Sequence, residues 1–288
     1  MPHLPTTMRS AILGACFLGA ITAPAASQVA QGSAASAPAP LVLGETFTIT
    51  SSVLGEVRRI NVYAPPGYAE SPDARLPVLY MPDGGVGEDF VHVAGLVQIS
   101  VANGTMRPFL LVGIENTERR RDLTGPTDVA EDRRIAPRVG GSAAFRRFIR
   151  TELIPQVDAR YRTTGERAIV GESLAGLFVV ETLVRESDLF DAYVAIDPSL
   201  WWNGGRLVAA GGESFRTQAV AGKSLYLASS GEPTIAPHVA RLADLLKQGA
   251  SPGFRWHHEA LPAEQHWTIY HPAALRAFRT LFASPPTK

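Results

Sequence analysis

Apolar and polar positions alternate with period two over FTITSSV (47–53) and VRRINVYAP (57–65), with Gly55 between them. That alternation predicts two strands with one wet face each, and the glycine at their junction predicts an antiparallel hairpin. After PPGY the pattern changes. Six short apolar runs follow: LPVLYM (76–81), FLLVGI (109–114), RAIVG (167–171), AYVAI (192–196), SLYLAS (224–229) and FRWHHEAL (254–261). Runs of that length predict strands buried on both faces, as in a mostly parallel sheet. Helical periodicity occupies 142–160, with Phe145, Phe148, Ile149 and Leu153 on one side, and then 174–184, 237–247 and 272–282. The order predicts a single α/β domain over 41–288. Its sheet would be eight-stranded and mostly parallel, led by an N-terminal antiparallel hairpin, with an active site at the carboxyl ends of the parallel strands.

The first forty residues follow neither pattern. MPHLPTTMR carries one basic residue, SAILGACFLGAIT is apolar, and APAAS supplies small residues suited to cleavage. This predicts an export signal over 1–30 and a flexible Gly, Ala, Ser and Pro linker over 31–40. The apolar run falls short of the roughly 20 residues a spanning helix needs, so no stable membrane insertion is expected after cleavage. The expected location is periplasmic or secreted. Two other readings of the segment are a membrane anchor and lipidation at Cys16, although only two apolar residues separate Arg9 from Leu13. Cys16 is the only cysteine, so a cleaved chain has no thiol for a disulfide, a nucleophile or a zinc site. The 27 basic and 27 acidic residues form no long block of one sign, which argues against a nucleic-acid partner.

Chemistry enters at AIVGESLAGLFVVETLV (168–184). A strand meets Gly171, then Ser173, then Ala175 and Gly176, and only then the helix. At such a corner a serine is held on a sharp bend with its hydroxyl exposed, and the helix N-terminus beside it favours an oxyanion. A serine capping a helix would share the pattern. A nucleophile there needs a base, an acid and oxyanion donors, in chain order serine, acid, histidine. His266, in the loop after the last strand, is the expected base; His271 precedes Pro272 and reads as a helix start. For the acid, Glu232 after SLYLASSG is preferred and Asp197 after AYVAI is the second candidate; a dyad without an acid is the remaining option. The expected oxyanion donors are the backbone N–H of Leu174 and one from Gly84 or Gly85 in MPDGGVGED. His257 and His258 are adjacent on a strand and face opposite ways, so no metal site is expected. No cofactor is expected either.

Together these segments resemble the Putative esterase family of the α/β-hydrolase fold, which includes siderophore trilactone esterases, feruloyl esterases and mycolyltransferases. The pieces carrying the resemblance are VRRINVYAPPGY, LPVLYMPDGG, VGIENTERRRDLTGP, the stretch from FRRFIR to VETLV, IDPSLWWNGG and EQHW. The chain departs from the family at Ala175, where a glycine is usual, and at Asp197, where a serine is frequent. The resemblance implies an exported serine ester hydrolase acting through an acyl-enzyme on a small-molecule ester, with catecholate siderophore trilactones as one substrate class. Trp201 and Trp202 are candidates to stack on an aromatic substrate, and Arg121, with Arg119 and Arg120, to meet negative charge. The bland alternative places a tryptophan in the core and pairs the arginines with carboxylates. Two rival functions remain: acyl transfer on the same triad, and a non-catalytic siderophore-binding protein. The sequence gives no oligomeric state.

Overall fold

The hairpin forms where the alternation predicts it. In the computed structural model, which describes residues 37–285, β1 (Glu45–Ser51) and β2 (Glu56–Tyr63) pair antiparallel. Gly55 in the turn between them has φ 69°, a left-handed value that suits a residue without Cβ. Six further strands are β3 (Leu76–Pro82), β4 (Leu110–Ile114), β5 (Thr163–Glu172), β6 (Ala192–Ile196), β7 (Ser224–Ser229) and β8 (Arg255–Ala260). The sheet order is β1-β2-β4-β3-β5-β6-β7-β8, antiparallel at β1-β2 and β2-β4 and parallel elsewhere.

Successive side chains on the inner strands enter opposite cores, as the pleat requires. Val78 and Tyr80 of β3 join one cluster, while Leu79 and Met81 join the other. One face is covered by α1 (Phe90–Ala102) and the C-terminal helix Tyr270–Leu281. Ahead of β5 come the short helices α2 (Arg119–Leu123) and α3 (Ala130–Ile135), then α4 (Ser142–Phe148) and α5 (Ile154–Arg160). Next along the chain are α6 (Leu174–Arg185), α7 (Arg206–Ser214) and α8 (Ala236–Gly249), with α9 the C-terminal helix already given. Helices α4 to α8 supply the second core.

The expected helix over 142–160 is interrupted by a π-helical turn, Ile149–Leu153. Pro155 follows that turn and has no N–H to bond the carbonyl four residues back, so the backbone widens there. Helices α1 and α7 were not among the expected elements. In α1 apolar residues lie on both faces, with Val91 and Ile99 exposed, so no single stripe stands out. In α7 the pair Gly211 and Gly212 lowers helix propensity, yet a Cβ on either would fall 3.1 or 2.9 Å from leucines of α8, so the glycines permit the close packing.

The chain from Val42 onward forms one compact unit. The expected export segment over 1–30, including Cys16, and most of the linker lie outside the described residues. No helix among the described residues is long and apolar enough to cross a membrane.

Candidate active site

Between β5 and α6 the backbone turns on Ser173, at φ 60° and ψ −120°. A non-glycine residue rarely takes that conformation, at a cost of about 1–3 kcal/mol, and surrounding contacts must hold it. Ser173 N–H donates to Ile196 O at 3.0 Å, and its carbonyl accepts from Ser199 N at 3.0 Å and Leu177 N at 2.9 Å. The small residues flanking the serine are sterically required. A Cβ on Gly171 would lie 2.6 to 2.8 Å from atoms of Ala175, and one on Gly176 would lie 3.0 Å from Ile196 O. Ala175 fits because it faces Gly171, which carries no side chain.

His266, in the loop between β8 and α9, lies with Nε2 3.0 Å from Ser173 Oγ. Its Nδ1 is 2.7 Å from Asp197 Oδ2. Asp197 is fully buried at the end of β6, with φ 43°. Ser230 anchors it twice, the N–H donating to Oδ1 at 2.7 Å and the hydroxyl to Oδ2 at 2.8 Å. The Asp197 hydrogen bond holds His266 above the ordinary imidazole range, overcoming the burial that acts against it. Nδ1–H donating to Asp197 leaves Nε2 free to accept the Ser173 proton, the tautomer a general base needs.

The structure therefore sets Asp197, not the preferred Glu232, against the histidine. Glu232 lies two residues beyond Ser230, starts the turn into α8 and accepts from the Thr234 hydroxyl at 3.1 Å. The strand before it ends at Ser229, so Ser230, not Glu232, is the first residue past β7 at the level of Asp197.

In the glycine loop after β3 both candidate donors are engaged. Gly84 N–H donates to Ile114 O at 3.0 Å and its carbonyl accepts from Asn61 Nδ2 at 2.8 Å, so its amide is committed to the sheet. Gly85 N–H donates to Glu88 Oε2 at 2.7 Å. Leu174 N–H has no acceptor among the described residues. Asp83, at φ 57°, is clamped by the Arg119 guanidinium at 2.7 and 2.8 Å and by Asn116 Nδ2 at 2.5 Å, which fixes the base of the loop.

A family model described as Putative esterase matches residues 51–266, three quarters of the chain, and the matched span contains Ser173, Asp197 and His266. The chain belongs to the Putative esterase family. It is similar to the ferri-bacillibactin esterase BesA of Bacillus subtilis, at 30% identity over 51% of this chain and 56% of the relative. It is also similar to the siderophore triacetylfusarinine C esterase of Aspergillus fumigatus, at 32% identity over 58% of this chain and 59% of the relative. The matches thus span little more than half the length of these relatives. Among solved structures it resembles an IroE-like serine hydrolase from Shewanella oneidensis, with TM-score 0.73, 29% identity, and 83% and 80% of the two chains covered. The fold is that of the α/β-hydrolases.

Above Ser173 opens a cleft of about 680 Å³, lined by Ser199, Trp201, Glu232, Ile235, His238 and Trp267 among others. Trp201 faces it as expected. Trp202 does not: it is 4% exposed, and its Nε1 donates to Gly125 O at 2.9 Å. Arg121 is also elsewhere, donating to Glu56 at 2.7 Å and to Asp122 at 2.7 Å. That network neutralises the fully buried Arg58, which pairs with Glu56 and Asp122. Trp202 stands beside Trp201, which does reach the site, and burial, which sequence does not display, separates the two. A second hollow of about 510 Å³ meets the cleft at His266 and Trp267 and is lined by Asp89, His92, Glu172 and His271.

Four site residues escaped the sequence reading. Ser199 Oγ lies 3.4 Å from Ser173 Oγ, Ser230 anchors Asp197, Trp267 stands 77% exposed at the mouth, and Glu172 contacts His266. Ser199, Trp267 and Glu172 lie within segments that carry the resemblance, IDPSLWW, EQHW and GESLAG, whereas Ser230 lies in none of them.

Proposed function

We propose that this chain is an exported serine ester hydrolase that cleaves siderophore esters through an acyl-enzyme. The observation that carries the reading is the continuous relay Ser173 Oγ, His266, Asp197, with 3.0 and 2.7 Å links. His266 Nε2 takes the serine proton, the alkoxide attacks the ester carbonyl, and the imidazolium formed is stabilised by Asp197. The proton then passes to the leaving alcohol, and a water activated by the same histidine releases the acyl group. The N–H of Leu174 holds the developing oxyanion, with that of Gly85 as the second donor in exchange for its bond to Glu88; Gly84, committed to Ile114, takes no part.

The siderophore assignment draws on the two curated relatives named above. Export rests on the N-terminal sequence pattern, and an N-terminus found near residue 30 in extracytoplasmic material, by mass spectrometry, would support it. The decisive experiment on the chemistry uses p-nitrophenyl acetate, a ferric siderophore ester and a fluorophosphonate probe. Wild-type protein turns over the esters and gains one adduct on Ser173. Ser173→Ala loses the adduct and about ten-thousandfold or more in kcat/KM. Retention of most activity in Ser173→Ala would overturn the nucleophile assignment.

A further inference from the structure

We propose that Glu172 is a second acid on the catalytic imidazole, a positioning residue able to take over the Nδ1 hydrogen when Asp197 does not hold it. The proposal rests on the Ser173, His266, Asp197 reading and adds a group that reading does not use. Glu172 Oε1 lies 3.3 Å from His266 Nδ1, the atom that also meets Asp197. The three side chains place ligand atoms within 4.8 Å of one another, so one imidazole N–H faces two carboxyl groups. The Glu172 side chain is 15% exposed and has no hydrogen-bond donor of its own among the described residues. Its backbone position as the last residue of β5, next to the strained Ser173, leaves it little freedom to move away.

Two carboxylates this close do not both ionise readily. Asp197 receives two hydrogen bonds from Ser230, whereas Glu172 receives none among the described residues. Glu172 yields: burial above all, with Asp197 and Asp89 adding to it, pushes its carboxyl up to about 8, against the pull of His266 and Arg119. Asp89, the residue before α1, His92 from α1, Arg119 from α2, and Tyr270 and His271 from α9 complete the ionisable groups around it. Near neutral pH Glu172 is therefore mostly a neutral acid beside the imidazole. Its proton leaves to solvent at alkaline pH, and the anion then stabilises the imidazolium that forms when His266 takes the serine proton.

The test is a pair of variants and their combination, assayed on p-nitrophenyl acetate from pH 5.5 to 9.5. Glu172→Gln alone keeps the shape and removes the ionisation. Wild-type kcat/KM shows, above the His266 limb, a second rise near pH 8 of about threefold or more, and Glu172→Gln lacks it. Asp197→Ala costs only about ten- to a hundredfold because Glu172 accepts the Nδ1 hydrogen, while the same change in the Glu172→Gln background costs about ten-thousandfold. Identical pH profiles for wild type and Glu172→Gln would overturn the proposal, even if Asp197→Ala failed to fold. So would equal losses for Asp197→Ala in the two backgrounds. Neither result touches the Ser173 reading, which the Ser173→Ala and adduct measurements decide separately.

Discussion

Two of the three relay groups sit on a strained backbone. Ser173 and Asp197 both lie at positive φ, and each has its N–H bonded to the end of the next strand, to Ile196 O and Ala228 O. Asp197 gains its charge stabilisation from Ser230, so that residue is the point at which to weaken the relay without touching it. Ser230→Ala removes the 2.8 Å hydroxyl bond and leaves the backbone one. A hydrogen bond to a charged group contributes about 1.5–3 kcal/mol, so kcat should drop about tenfold or more with KM little changed. Steady-state kinetics on a small ester checks this, and an unchanged kcat would show that the backbone bond suffices. The histidine supplies the pH dependence. Its folded pKa lies above 6.5, and only its neutral form accepts the serine proton, so kcat/KM falls as pH drops through that raised value. Asp197→Asn removes the carboxylate responsible and should move the midpoint of the acid limb downward, toward 6.5, which a pH–rate profile reads directly.

Elements place these residues, and here the sequence was legible to different depths. All eight strands were foreseen because runs buried on both faces and alternating runs look different, and the position of Ser173 followed from one strand and one helix meeting at small residues. The helix α1 was hidden because a helix packed against α9 and the sheet can be apolar all round. Which of the two acid candidates meets His266 was not legible for a reason of register: Glu232 lies two positions beyond Ser230, and sequence does not say which of them stands level with the strand end. The amide pairing of Gly84 was equally invisible, since its partner Ile114 is thirty residues away on β4. That pairing leads to a prediction at this scale. A Cβ on Gly84 would lie 2.2 Å from Ile114 N and 2.3 Å from Gly113 Cα, backbone atoms that cannot step aside. Gly84→Ala should cost about 3 kcal/mol of stability, seen as a lowered denaturant midpoint. Gly85→Ala meets mainly the Glu88 and Glu115 side chains, at 2.9 to 3.0 Å, and should cost far less. Equal losses would mean that the loop is not anchored through Gly84.

At the scale of the molecule, formal charge is balanced, but its distribution around the cleft is not. No lysine or arginine is among the residues lining either the Ser173 cleft or the adjoining hollow, while the carboxylates Glu232 and Asp89 are. Arg119, the arginine whose charge reaches Glu172, has its guanidinium clamped by Asp83, and Arg121 serves the buried Arg58 cluster. Arginines free to receive a ferric catecholate trianion, one of the expected substrates, are therefore missing from these lining residues. On the proposed siderophore-ester reading, an uncharged ferric ester is therefore the expected better substrate, its linkages covered by the apolar surface of Trp201 and Trp267. Exposed charges act over roughly 10 Å at 0.1 M salt, so the preference should depend on ionic strength. The neutral ferric ester should be hydrolysed with the higher kcat/KM at low salt. Raising ionic strength should speed the trianion about threefold while leaving the neutral ester unchanged. Glu232→Gln should narrow the gap at low salt, because it removes the cleft carboxylate without altering the Ser173, His266, Asp197 relay. A trianion preferred at low salt and slowed by added salt would instead mean that Arg119 leaves Asp83 to meet it, and Arg119→Gln would then abolish that preference.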